Sequence, residues 1–180
     1  GVNVVGLVDL VPEPMAAVAA AHHLDGVPQF TELDEALTRQ QPDVVFNCTV
    51  PAAHAEVALA GLAHGCHVLT EKPLADSMAN ARRMVAAADR AGRRLAVLQN
   101  RRYQPEIRAL AAFLAGGAIG EVTTVNTDFY LGAHFGGFRE RMRHVLLLDM
   151  AIHSFDQARL ISGTDPVSVY CHEWNPAGSW

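Results

Sequence analysis

The sequence has no long hydrophobic run and no excess of basic residues. It carries 14 Lys or Arg against 19 Asp or Glu, which gives a net charge of −5 with His neutral. A mildly acidic chain lacks the basic surface that attracts nucleic acid or an anionic membrane. Its apolar runs fall far short of the roughly 20 residues that span a bilayer. We therefore expect neither nucleic acid nor a membrane as a partner.

Cysteines are few, and none of them forms a C-x-x-C pair. Cys48, Cys66 and Cys171 are odd in number and far apart, which indicates free thiols in a reducing compartment. This favours a cytoplasmic location. As small apolar side chains, all three are expected to be buried.

A regular alternation of short apolar runs and helical segments fills the first hundred residues. Half of all residues are hydrophobic, so a sizeable core is possible. The alternation predicts an α/β fold, a Rossmann-like doubly wound parallel sheet with helices on both faces. Ligands bind such sheets beyond the carboxyl ends of the strands. Four segments should therefore meet at one edge: Asp9, residues 47–51, residues 71–73 and residues 100–103.

The pattern changes after Tyr103. Residues 105–114 and 146–161 predict helices, and residues 121–131 and 166–174 predict strands. We therefore expect a second, α+β domain, with domains of residues 1–102 and 103–180. Within the second domain, a loop of residues 132–145 connects the predicted strand 121–131 to the predicted helix 146–161, and it is rich in Gly, His and Arg. It is either a substrate lid or a solvated surface loop.

Asp9 follows the first predicted strand, residues 2–8. In a dinucleotide-binding fold, a carboxylate here accepts hydrogen bonds from the adenosine ribose; an ordinary strand-end Asp is simply solvated. No Arg follows that could bind a 2′-phosphate, so NAD is favoured over NADP. The fingerprint G-x-G-x-x-G has no match in residues 1–30. Without that turn there is no helix N-terminus for the pyrophosphate, and we expect weak NAD binding or none.

Lys72 follows another buried strand, within the tripeptide Glu71-Lys72-Pro73. A Lys at the carboxyl end of a strand can hydrogen-bond a substrate hydroxyl and stabilise charge on its oxygen. The same tripeptide is also common in solvated turns, so both interpretations stay open.

Asp149, His153 and Asp156 have the spacing of one helical face, within an otherwise apolar helix. Burying such groups is costly unless they are paired. A general base that works near neutral pH is one explanation, and a His satisfied by a backbone carbonyl is the other. A metal site is not expected, because Asp149 and His153 give only two ligands.

Five motifs in this order resemble the glucose–fructose oxidoreductase, inositol dehydrogenase and rhizopine-catabolism (Gfo/Idh/MocA) family. The resemblance covers nearly the whole chain. The motifs are Asp9 after a strand, Asn47-Cys48-Thr49-Val50-Pro51 with His54, Thr70-Glu71-Lys72-Pro73-Leu74, Asn100-Arg101-Arg102-Tyr103-Gln104-Pro105, and Leu148-Asp149-Met150-Ala151-Ile152-His153-Ser154-Phe155-Asp156.

The resemblance implies an NAD(P)-dependent oxidoreductase that oxidises a secondary hydroxyl of a sugar, cyclitol or related polyol. It implies that His153 takes the hydroxyl proton, Lys72 holds the oxygen and Asp149 orients the substrate. The implied cofactor-binding residues are Asp9, Asn47, Thr49, Pro51, His54, Glu71, Lys72 and Asn100. The implied substrate-binding residues are Arg102, His134, Arg139, Asp149 and His153.

The sequence departs from the family pattern at both ends. The opening strand and glycine turn are missing, and the second domain has few strands of the open, mainly antiparallel sheet that the family implies. We therefore expect a chain truncated at both ends, whose full-length form is a homo-oligomer. Two alternatives stay open: an NAD-dependent glycoside hydrolase of the same superfamily, or a degenerate, non-catalytic fragment that acts as a binding module.

Overall fold

The computed structural model describes residues 1–130 and 136–174. The chain divides into two compact units, Gly1–Leu98 and Gln99–Trp180. This division lies slightly earlier in the chain than the boundary expected after residue 102.

The first unit alternates strands and helices, as the sequence predicts. All of its strand pairs are parallel, which confirms the α/β class. The strands are β1 (Leu7–Val8), β2 (Gln29–Phe30), β3 (Val44–Asn47), β4 (His67–Thr70) and β5 (Leu95–Val97). The helices are α1 (Pro12–Ala21), α2 (Leu33–Gln40), α3 (His54–Ala63) and α4 (Met78–Ala91).

These strands form two sheets rather than the single sheet expected from the sequence. β1 pairs with β2, and β3, β4 and β5 pair in that order. The predicted first strand, residues 2–8, shrinks to Leu7–Val8. An apolar run becomes a strand only where a neighbour accepts and donates backbone hydrogen bonds. Here that neighbour is β2 and its flanks, because the N–H groups of Leu7 and Asp9 donate to the carbonyls of Pro28 and Phe30.

Helix α4 shows how local sequence sets the elements of this unit. The Ser77 hydroxyl caps its start by accepting the Asn80 N–H at 3.2 Å, and Gly92 ends it with a left-handed φ of 60°. Met84 and Ala88 face inward, towards the core. The core cluster comprises Ala55, Ala58, Leu62, Val68, Met84 and Ala88.

Gly61 lets α3 lie close to the sheet. A Cβ at this position would stand 3.1 Å from Val45 Cγ2 and 3.3 Å from Val68 Cγ2. Both distances are tighter than most Cβ contacts, so an alanine here requires the Val45 and Val68 side chains, or the helix, to shift by a few tenths of an ångström. The glycine therefore permits the close approach of α3 to β3 and β4.

The second unit consists of helical segments joined by irregular chain. Residues Asn100–Tyr103 and Gly137–Arg141 are 3₁₀ turns, and Leu146–Met150 is a π-helical turn. The two α-helices are α5 (Pro105–Ala115) and α6 (Ala151–Ser162). The predicted helix over 146–161 is therefore a π turn followed by an α-helix.

The predicted strands of this unit are wrong for residues 121–130 and 166–174, which form no strand. Their alternation is compatible with a strand, but neither segment pairs with another within the described part of the chain. The expected antiparallel sheet is consequently absent from these residues, and Val167, Val169 and Tyr170 are exposed.

The free cysteines differ from one another in burial. Cys66 is buried, as expected, whereas Cys48 and Cys171 are exposed. Among residues 1–130 and 136–174, no helix combines the length and apolar character needed to cross a membrane. The same residues contain no group of three or more His, Cys, Asp or Glu side chains arranged to hold a metal ion.

Candidate active site

The carboxyl ends of β3 and β4 meet at one edge of the sheet. Asn47 lies opposite Thr70 in the parallel register, and both residues are buried. The Glu71 N–H donates to the Asn47 carbonyl at 2.9 Å, and the Leu98 N–H donates to the Thr70 carbonyl at 2.8 Å. The segments that follow β3, β4 and β5 therefore start side by side, as predicted, whereas Asp9 follows β1 in the other, two-stranded sheet.

Asn47 organises the loop that follows β3. Its Nδ2 donates to the His54 carbonyl at 3.0 Å. Its Oδ1 accepts from the Thr49 hydroxyl at 2.7 Å and from the Thr49 N–H at 3.3 Å. Every polar atom of the Asn47 side chain is thus in contact with its own loop.

His54 opens α3 and is fully buried. Its Nδ1 lies 2.7 Å from the Pro73 carbonyl oxygen, and its Nε2 lies 2.9 Å from the Thr49 carbonyl oxygen. Cofactor contacts by Asn47, Thr49, Pro51 and His54 stay a prediction. What the geometry provides is a polar cluster in which Asn47, Thr49 and His54 contact one another and the backbone.

Lys72 lies in the turn that leaves β4. Glu71 and Lys72 are half-buried and Pro73 is buried, and the Lys72–Pro73 peptide is cis. The Lys72 N–H donates to Glu71 Oε2 at 3.2 Å. Thirteen of the 14 basic residues are Arg, and Lys72 is the one lysine in the sequence. The composition thus singles out this lysine, which the Glu-Lys-Pro motif alone does not.

Cys48, in the loop after β3, interacts electrostatically with the Glu71 carboxylate. Desolvation raises the pKa of the Cys48 thiol, and the Glu71 carboxylate raises it further. At neutral pH the thiol is therefore protonated, so Cys48 lacks the thiolate that a cysteine nucleophile needs.

Asp9 is exposed directly after β1. Its Oδ1 accepts the Val11 N–H at 2.9 Å, and the carboxylate has no other partner among the described residues. That arrangement fits an acceptor for ribose hydroxyls. The start of α1 fits a phosphate less well, because Pro12 and Pro14 have no N–H to donate.

In the second unit, Asp149 is a buried carboxylate in the π turn. Arg139 Nε donates to Asp149 Oδ2 at 2.6 Å, and the Arg139 side chain is 30 % exposed. Pairing with a guanidinium offsets the cost of burying this charge. Arg139, expected to bind substrate, therefore holds a carboxylate of its own unit.

His153 is buried in the first turn of α6, and Asp156 follows one turn later. Arg102 Nε donates to Asp156 Oδ2 at 3.0 Å. Arg102, also expected to bind substrate, is thus an ion-pair partner of α6. Asp149 lies in the π turn that precedes α6, so Asp149, His153 and Asp156 do not belong to one regular α-helix as expected. That the three share a face stays a prediction.

Two further expected site residues have a different outcome. Asn100 is exposed in a 3₁₀ turn and belongs to the second unit, not to the first as expected. His134 lies outside the described residues.

Family models match both units of the chain. A model described as an oxidoreductase family with an NAD-binding Rossmann fold (Gfo/Idh/MocA) matches residues 1–99. A second model, the Gfo/Idh/MocA C-terminal domain, matches residues 107–178.

Individual relatives agree with these matches. Inositol 2-dehydrogenase of Streptomyces avermitilis is 33% identical over 94% of this chain and 48% of its own length. D-apiose dehydrogenase of Paraburkholderia graminis is 31% identical over 91% of this chain and 44% of its own length. The chain thus spans about half the length of these curated relatives.

A solved structure extends the likeness to three dimensions. The WlbA dehydrogenase of Bordetella pertussis, in complex with NADH and UDP-GlcNAcA, is 30% identical to this chain with a TM-score of 0.60. The match covers 65% of this chain and 33% of that one.

Proposed function

The chain belongs to the Gfo/Idh/MocA family of oxidoreductases, and we propose that it carries the catalytic residues of an NAD-dependent dehydrogenase. The substrate we propose is a sugar, cyclitol or related polyol that is oxidised at a secondary hydroxyl. The observation that carries the proposal is the placement of the one lysine, Lys72, at the carboxyl end of a parallel strand. Two relatives whose names specify inositol and D-apiose as substrates support the substrate class.

NAD fits the first unit in part. The Asp9 carboxylate suits the adenosine ribose hydroxyls, and neither Leu10 nor Val11 offers a cation for a 2′-phosphate, which favours NAD over NADP. The described residues of this unit include no glycine-rich turn for the pyrophosphate. When bound, the cofactor supplies the acceptor for the hydride that leaves the substrate carbon.

The chain's own residues handle the proton and the charge on the oxygen. As the hydride leaves the carbon with its electron pair, His153 accepts the proton of the hydroxyl on that carbon, so the product is a ketone. Lys72 donates a hydrogen bond to a substrate oxygen and stabilises the negative charge that develops on it. Asp149 accepts a hydrogen bond from a neighbouring hydroxyl of the substrate. The Arg139 guanidinium stabilises the ionised carboxylate of Asp149 within the protein.

The test is formation of NADH by the 180-residue chain with inositol and a panel of sugars, at NAD concentrations raised to offset the weak binding expected without a glycine-rich turn. We expect NADH formation with at least one polyol, and we expect His153→Ala to lower kcat by about a hundredfold or more. A saturable NAD titration without any NADH would indicate a binding module. Cleavage of an aryl glycoside without net NADH would indicate a glycoside hydrolase instead.

A further inference from the structure

We propose that His54 is a positioning residue that fixes the backbone on both sides of the Lys72 turn. Its imidazole joins the loop after β3 to the turn after β4. Its catalytic consequence rests on the proposed function, because it matters for turnover only if Lys72 contacts the substrate.

Lys72 is anchored by a backbone hydrogen bond before it and by His54 after it. On the near side, the Glu71 N–H donates to the Asn47 carbonyl at 2.9 Å. On the far side, the Pro73 carbonyl oxygen lies 2.7 Å from His54 Nδ1. Pro73 is itself buried, so the peptide that follows Lys72 is held at a fixed place against α3.

The other side of the imidazole is equally confined. Nε2 lies 2.9 Å from the Thr49 carbonyl oxygen, and Thr49 is tied to Asn47 by two hydrogen bonds. Asn47 is also attached to α3, because its Nδ2 donates to the His54 carbonyl at 3.0 Å. The ring is thus fixed at both ends within a fully buried pocket.

The number of protons on the His54 imidazole decides how many of its two carbonyl contacts are hydrogen bonds. Both facing atoms are carbonyl oxygens, which accept hydrogen bonds and cannot donate them. A neutral imidazole has one N–H and serves one carbonyl, whereas the doubly protonated ring serves both. Because the contact to Pro73 is the shorter of the two, we assign the single proton of a neutral ring to Nδ1. The bond to the Lys72 turn therefore needs an N–H on Nδ1.

The single lysine makes the consequence measurable without cofactor or substrate. We would compare the rate of Lys72 acetylation by acetic anhydride in the unmodified chain and three variants, by peptide mass spectrometry, with the Gly1 amine as internal reference. His54→Leu removes both hydrogen bonds, and His54→Gln retains one amide donor. His64→Gln is the matched control, because exposed His64 follows the other end of α3.

We expect the His54→Leu chain to acetylate Lys72 about fivefold faster, the factor that corresponds to losing one net hydrogen bond. The His54→Gln chain should show a smaller increase, and the His64→Gln chain none. An unchanged rate in a folded His54→Leu chain would overturn the proposal.

A second measurement decides the matter if His54→Leu does not fold. Long-range proton–nitrogen NMR of the unmodified chain, assigned by comparison with His54→Gln, should show a proton on His54 Nδ1. A bare Nδ1 would refute the proposed bond to Pro73. A positive result with no NADH formation would leave His54 as a positioning residue and remove the proposed function.

Discussion

The candidate residues of the two units are held in place by different forces. In the first unit, Asn47 and His54 are fixed mainly by hydrogen bonds to backbone groups. In the second unit, Asp149 and Asp156 are fixed by the guanidinium groups of Arg139 and Arg102. Backbone hydrogen bonds are little affected by salt, whereas partly exposed ion pairs weaken as ionic strength rises. The first unit should therefore keep its arrangement under conditions that loosen the second.

Of the substitutions that compare the two units, Lys72→Arg is expected to have the largest effect. The substitution keeps the positive charge but replaces a compact ammonium with a planar, wider guanidinium. We expect kcat to fall by about a hundredfold, the usual loss when a donor to a developing oxyanion is removed. Initial-rate kinetics measure it. Near-normal turnover would show that position 72 requires only a charge and would argue against a specific role for the lysine.

Arg139→Ala should destabilise the second unit by removing the partner of a buried carboxylate. We expect the free energy of unfolding in urea to fall by about 2 kcal/mol, less than for a fully buried pair because Arg139 is 30 % exposed. The double variant Arg139→Ala/Asp149→Asn should regain more than half of that loss. A double variant no more stable than Arg139→Ala would show that charge burial is not the cause.

Asn47→Ala and Arg102→Ala compare the two kinds of support directly. Asn47→Ala leaves the buried His54 carbonyl and the Thr49 hydroxyl and N–H without their hydrogen bonds to Asn47, so we expect a loss of about 1.5 kcal/mol at any salt concentration. Arg102→Ala removes a pair that is 33 % exposed on the Arg side, so we expect under 1 kcal/mol.

Urea unfolding at low and high NaCl gives the salt dependence of both losses. The Arg102→Ala loss should shrink in high salt, while the Asn47→Ala loss should stay constant. Equal salt dependence of the two variants would remove the distinction drawn between the units.

The smallest expected effect concerns Cys48. The Glu71 carboxylate adds to the rise of the Cys48 pKa, so Glu71→Gln should lower that pKa and increase the thiolate fraction at neutral pH. We expect iodoacetamide to react with Cys48 about twofold faster, since desolvation still opposes ionisation. The reaction of exposed Cys171 in the same sample is the control, and its rate should not change.

The sequence predicted the parallel sheet well because its signal is local. Apolar runs of the right length mark β3 and β4, and the physics of parallel pairing then brings their carboxyl ends together. The opposition of Asn47 and Thr70 confirms that inference. The role of Lys72 rests on the same kind of local signal, its place after a buried strand, and stays a prediction.

Long-range partners could not be predicted in this way. Asp156 pairs with Arg102, 54 residues away, and the His54 ring contacts a carbonyl 19 residues away. Nothing in the spacing of either residue encodes its partner. Alternation likewise indicated strands over 121–131 and 166–174, but a strand also requires a neighbour, which residue patterns do not specify.

Gly61 bears on the position of His54 as well as on local packing. Helix α3 begins at His54 and rests on the sheet through Gly61, about 10 Å further along its axis. A side chain at position 61 would press on the sheet near the C-terminal end of α3. The His54 imidazole lies at the N-terminal end of the same helix. We therefore expect a larger residue at position 61, two helical turns from His54, to shift the Lys72 turn.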